Sequence, residues 1–197
     1  MTASGRDVLV NMMWCVPGQV GGSEEYLVRQ LLGLAEASDE WHPTVVGARG
    51  LGQAHPDLAA IMPLIEPEFE SQSRVRRILG ETTWLRRHSR GAALMHHGGG
   101  TAPPRAHRPY VLTIHDLQFR TYPQYFSRLK RVYLGAVIPP SARRATVVAV
   151  PSEYVAHSVV PVSYTHLRAH ETVLDLVCRH LLEKKKKHTK DPAGPLV

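Results

Sequence analysis

Three short stretches carry residue types whose spacing could do chemistry. Pro17-Gly18-Gln19-Val20-Gly21-Gly22-Ser23 sets two adjacent glycines ahead of the acidic pair Glu24-Glu25. Adjacent glycines take positive φ at little cost and let a ligand approach the backbone closely. A helix starting there aims unpaired N–H groups and a partial positive charge at the same spot, which suits a phosphate. The spacing is neither Gly-x-Gly-x-x-Gly nor a Walker loop, so a flexible turn is the alternative reading. In Thr113-Ile114-His115-Asp116 a strand-like run ends in a polar pair. A histidine there can bond a sugar hydroxyl or donate to a phosphate near neutral pH, and the adjacent carboxylate can orient it or accept hydroxyls. A loop histidine satisfied by backbone is the alternative.

The third stretch, His96-His97-Gly98-Gly99-Gly100, superficially matches an esterase oxyanion loop. That chemistry needs a Gly-x-Ser-x-Gly nucleophile elbow, which the chain lacks. Adjacent histidines also lack the helical ligand spacing that makes a zinc site convincing. The loop is read as a second glycine-rich wall, with His97 and Gly98 as cleft candidates. A fourth segment, Arg74 to Arg90, strings arginines around Ile78, Leu79, Trp84 and Leu85. Such a helix can rest on an anionic membrane surface or meet a phosphorylated acceptor. Its aromatics do not interleave with the charges as nucleic-acid stacking platforms require, so no nucleic-acid partner is expected. A solvated arginine face is the bland reading.

These loops need elements to hold them. Asp7 to Met12 reads as a buried strand, and Ser23 to Ala37 as a helix with Leu27, Val28, Leu31 and Leu34 on one face, N-capped by Ser23. Thr44 to Val46, Met62 to Ile65, Ala93 to His96, Tyr110 to Ile114 and Thr146 to Val150 read as further strands. Arg74 to Arg87 reads as one helix; another follows Pro123 until Pro139-Pro140 interrupts it; Ser152-Glu153 opens the last. Strand and helix alternating in this way predict an α/β fold, a Rossmann-like parallel sheet with helices on both faces. Ligands of such sheets sit at the carboxyl ends of the strands, where the loops above fall.

Gly21-Gly22-Ser23-Glu24, Thr113-Ile114-His115-Asp116-Leu117-Gln118-Phe119, Tyr122 to Ser127 and Val150-Pro151-Ser152-Glu153-Tyr154 together resemble the N-terminal, acceptor-side half of retaining GT-B glycosyltransferases of the family-four type. The resemblance covers nearly all of residues 7 to 160 and implies transfer of a sugar from a nucleoside-diphosphate sugar to an acceptor hydroxyl with retention. It implies that Gly21 and Gly22 contact the donor diphosphate, that His115 and Asp116 lie beside the transferred sugar and acceptor, and that Ser152 and Glu153 lie near the cleft. No metal or cofactor is implied. The family's second, nucleotide-binding half has no counterpart in this sequence, so the chain alone is expected to be inactive. A single-domain nucleotide or sugar-phosphate binder is the competing reading.

Met1 to Pro161 holds one lysine, Lys130, against 16 arginines, whereas four consecutive lysines follow at Lys184 to Lys187. From Val162 the text resembles translated sequencing-adapter read-through, so residues 1–161 are expected to form the domain and 162–197 to stand outside it. That tail supplies +3 of the +7 net charge, leaving a modest +4. Cys15 is then the lone cysteine, which excludes a disulfide framework and makes a reducing, cytoplasmic compartment the default, with peripheral contact at the inner membrane face through the Arg74–Arg90 helix. No run approaches the roughly 18 apolar residues of a membrane span.

Overall fold

The computed structural model describes residues 7–19, 21–37, 40–69, 74–107 and 109–163. Strands β1 (Asp7–Met12), β2 (His42–Gly47), β3 (Leu64–Ile65), β4 (Leu94–His97), β5 (Tyr110–Thr113) and β6 (Val147–Ala149) form one sheet in the order β3-β2-β1-β4-β5-β6. Every pairing is parallel. The expected α/β Rossmann-like architecture is therefore present. Strand order reverses between β1 and β4, and the carboxyl ends of those two strands open the crevice in which sheets of this kind bind ligands.

Alternation along β1 decides how the two faces are covered. Val8, Val10 and Met12 bury against Leu27, Val28 and Leu31 of helix α1 (Gly22–Ala37), with Leu51 and Leu58 from the short helices α2 (Leu51–Ala54) and α3 (Pro56–Ile61). Leu9 and Met13 point the other way, into a core shared with α4 (Arg74–Thr82), α5 (Trp84–His88), α7 (Arg128–Arg144) and α8 (Glu153–Ser163). A short helix α6 (Gln118–Thr121) bridges β5 to α7. Val8, Leu9, Val10 and Met12 make both faces of β1 largely apolar, as a covered parallel sheet requires, while β4 carries a histidine on each face.

Three local expectations are corrected. The helix starts at Gly22, and the Gly21 carbonyl accepts from the Glu24 amide at 3.0 Å, so Ser23 lies inside the first turn and is not the cap. The arginine-rich segment breaks at Thr83 into α4 and α5, then tightens into a 3₁₀ turn at Ser89–Gly91. Helix α7 runs straight through Pro139 and Pro140. Two prolines forgo the bonds to the exposed carbonyls of Gly135 and Ala136, which water can satisfy. Packing beyond them holds the helix: Ile138 and Ala142 are buried, Ser141 Oγ accepts from Ala102 N at 3.0 Å, and the Tyr110 hydroxyl donates to the Ser141 carbonyl at 2.7 Å. The boundary expected at 161 falls within α8, which continues to Ser163; residues 164–197 lie outside the described residues. Among the described residues no helix is long and apolar enough to cross a membrane.

Candidate functional site

A cleft of about 220 Å³ lies at the carboxyl edge of the sheet. Trp14 enters from the end of β1, Ser23 from the first turn of α1, Gly99 and Gly100 from the loop after β4, and His115 and Asp116 from the loop after β5. Its far wall is built by Gln118, Phe119, Phe126 and Lys130. The three loops singled out by chemistry thus meet in one place.

His115 sits among aromatic rings, 5.8 Å from Trp14 and 5.5 Å edge-on to Tyr26, centroid to centroid. Its Nε2 is 2.8 Å from the Gly98 carbonyl oxygen. Burial pushes its pKa below the ordinary histidine value, while the Gly98 carbonyl and the Asp116 carboxylate pull weakly the other way. Asp116 Oδ1 accepts from the Gln118 amide at 2.9 Å in the turn ahead of α6, so it lends the cleft its charge and a second oxygen instead of orienting the imidazole. The Trp14 indole N–H is buried with no acceptor among the described residues. A buried donor left unpaired is costly, and this one lies on the Gly98 side of the ring, closed to solvent.

The glycines divide by role. A Cβ on Gly98 would come within 2.5 Å of Leu27, and one on Gly99 would stand 2.5 Å from the Trp14 ring. Those two positions are small so that Trp14 and α1 can close on the β4 loop. Gly21 holds φ 73°, while a Cβ on Gly21 or Gly22 meets no atom within 4 Å. Both glycines are exposed, and neither lines the cleft, which this turn reaches through Ser23.

Several sequence candidates land elsewhere. His97 belongs to the core, not the cleft wall: it is buried edge-on to Tyr110, and Asn11 Nδ2 donates to its Nδ1 at 3.3 Å. Alternation along β4 turns His96 to the opposite face, where its Nε2 is 2.7 Å from Thr113 Oγ1. Burial pushes the His96 and His97 pKa values down, to about 4 and about 3. No three His, Cys, Asp or Glu side chains converge as a metal site among the described residues. Ser152 and Glu153 follow β6 on the same sheet edge, but Ser152 Oγ accepts from the Val155 amide at 3.4 Å and Glu153 is exposed 3.7 Å from His157. Neither lines the cleft. Trp14, Phe126 and Lys130 were missed by sequence reasoning. Lys130, whose ammonium lies 4.9 Å from the Phe126 ring centroid, had one signal: it is the single lysine among 16 arginines before the tail. Comparisons of the chain with protein-family models, with curated proteins and with solved structures each return no match.

Proposed function

We propose that residues 7–163 form the acceptor-side domain of a retaining GT-B glycosyltransferase, which moves a sugar from a nucleoside-diphosphate sugar to an acceptor hydroxyl. One observation carries the reading: the first turn of α1, the β4 glycine loop and the His115-Asp116 pair wall a single cleft at the strand-order reversal. In this reading the Gly21-Gly22 amides and the α1 dipole stabilise the departing diphosphate. Neutral His115 accepts a hydroxyl, the Trp14 ring walls the cleft, and Lys130 adds positive charge beside the leaving group. The cleft volume of about 220 Å³ supports a two-domain arrangement over a single-domain nucleotide binder. Sites for small molecules usually span roughly 300–1,000 Å³, so this cleft holds only part of such a donor.

The test is an amide titration of the full chain with a panel of nucleoside-diphosphate sugars, followed by nuclear magnetic resonance. Donor addition shifts the Gly21 and Gly22 amides together with the His115 ring and Trp14 indole signals, and a Gly22→Val variant abolishes the response while keeping its fold. Shifts confined to another edge of the sheet overturn the proposal, and tight donor binding by this chain alone, with a Kd on the order of micromolar or below, replaces it with the single-domain nucleotide binder.

A further inference from the structure

We infer that Arg120, Arg128 and Arg131 form a pocket for a phosphate ester, adjoining the cleft but distinct from the glycine turn. A second hollow, about 530 Å³, lies between α6 and α7 and is lined by Phe119, Arg120, Arg128, Arg131 and Val132. Positions 128, 131 and 132 share one face of α7 at helical spacing, and Arg120 comes from α6. Among the described residues no carboxylate lines the hollow, and none of the three arginines forms an ion pair. Arg29, by contrast, pairs with Glu25 at 2.6 Å.

Helix polarity sharpens the point. Arg128 opens α7, and its first turn holds no acidic residue. That end of a helix favours anions and disfavours cations. Gathering three permanent cations around one hollow, one of them at the wrong helix end, breaks a local rule without a compensating ion pair among the described residues. An incoming oxyanion would satisfy the guanidinium forks and the helix terminus at once. Guanidinium forks grip phosphate oxygens in pairs. A phosphate monoester carries about −1.5 to −2, matching three arginines better than one carboxylate does.

Phe119 lines both this hollow and the cleft, so the bound phosphate sits one side chain away from the space beside His115. On the transfer reading above, on which this last step rests, the pocket holds the phosphate of a phosphorylated acceptor. Tyr122, Tyr125, Leu129 and Val132 are exposed nearby, which makes a lipid-borne phosphate a source to distinguish from a soluble one.

The experiment titrates the full chain with inorganic pyrophosphate by calorimetry, following arginine Nε–H signals in parallel. Saturable binding shifts the signals of Arg120, Arg128 and Arg131, and R128A/R131A weakens the affinity by about tenfold or more, since it removes two charge-assisted contacts. Both side chains are exposed, so the fold is untouched. The control R86A/R87A on α5 changes affinity by less than about twofold, as expected for charges outside the site. Vesicles of phosphatidylcholine with and without phosphatidic acid then assign the source: retention only on phosphatidic acid, lost in R128A/R131A, makes the ester lipid-borne, and no retention makes it soluble. Either supports the pocket. Absence of saturable binding at millimolar pyrophosphate, or equal weakening by R86A/R87A, overturns it. So does loss of binding in Gly22→Val with R128A/R131A unaffected, an outcome that leaves the glycine-turn reading standing.

Discussion

The Nε2 of His115 lies 2.8 Å from the Gly98 carbonyl oxygen, and a carbonyl can only accept. Nε2 therefore carries the proton and Nδ1 keeps the lone pair of a neutral imidazole. Burial, which sets the direction of the His115 shift, favours that neutral form. The donor nitrogen is committed to the fold, so the role of phosphate donor that the sequence allowed gives way to acceptance of a hydroxyl. Binding of a sugar-bearing ligand should then stay level as pH falls to the ordinary histidine value of 6.5 and weaken only below it, as Nδ1 gains its proton. A ring titration by nuclear magnetic resonance checks this. A His115 midpoint at or above 6.5 contradicts the geometry.

Gly22 responds to an alanine substitution in the opposite direction from Gly21 and Gly99. Gly22→Ala adds a methyl group to open space inside a helix, so it keeps or raises stability by up to about 1 kcal/mol. Gly21→Ala must take φ 73° and loses about 1–2 kcal/mol. Gly99→Ala drives a Cβ to 2.5 Å from the Trp14 ring and costs about 1–3 kcal/mol through displaced packing. Thermal melts of the three variants should rank Gly22→Ala above Gly21→Ala and Gly99→Ala, while donor-induced shifts are lost in Gly22→Ala despite its sound fold. Gly99→Ala melting with the wild type would remove the packing role.

The parallel sheet was legible because β1, β5 and β6 are short apolar runs bounded by turn residues, with the helical periodicity of α1 following the first of them. The place of His115 in the cleft was legible for a related reason: a polar pair at the end of an apolar strand falls on the carboxyl edge of the sheet. What escaped depended on contacts between distant residues. The prolines of α7 read as a stop, since local propensity cannot see Ser141 anchoring Ala102, 39 positions away in sequence. His96 and His97 read as a pair, whereas strand alternation sends one to each face. Trp14 gave no signal of its own, because its place against Gly98 and Gly99 exists only once β1 and β4 lie side by side.

Those two histidines make acid stability a sharp expectation. Their folded pKa values of about 4 and about 3 lie below the ordinary histidine value of 6.5, with burial as the main cause for both. Between the folded and unfolded values the unfolded chain binds more protons, so stability is complete above 6.5 and is lost as pH falls through this window. Glu81 works against the trend, since burial raises its pKa and favours a proton in the folded state. Equilibrium denaturation should show a loss of about 2 kcal/mol per pH unit near pH 5. His96→Gln keeps a polar partner for Thr113 and removes one titrating ring, lowering that slope by about 1 kcal/mol per pH unit. An unchanged slope would mean His96 is already solvated.

Cys15 sits beside a buried carboxylate, and this fixes its reactivity. The thiol is fully buried at the end of β1, and burial first, then the charge and hydrogen bond of Glu24, push its pKa far above the usual thiol range. Glu24 is held in turn by His55, whose Nε2 lies 2.8 Å from its Oε1, tying the start of α1 to the joint between α2 and α3. Only the thiolate attacks alkylating reagents, so Cys15 should stay unmodified in the folded protein at pH 8 and react at once in denaturant. Peptide mass spectrometry after a short iodoacetamide pulse reads this directly. Glu24→Ala removes the partner of His55 and opens a polar void beneath the glycine turn, so it should destabilise the fold by about 2–3 kcal/mol and expose the thiol to labelling. Labelling of Cys15 in the intact wild type would show that the base of the turn opens far more readily than its packing implies.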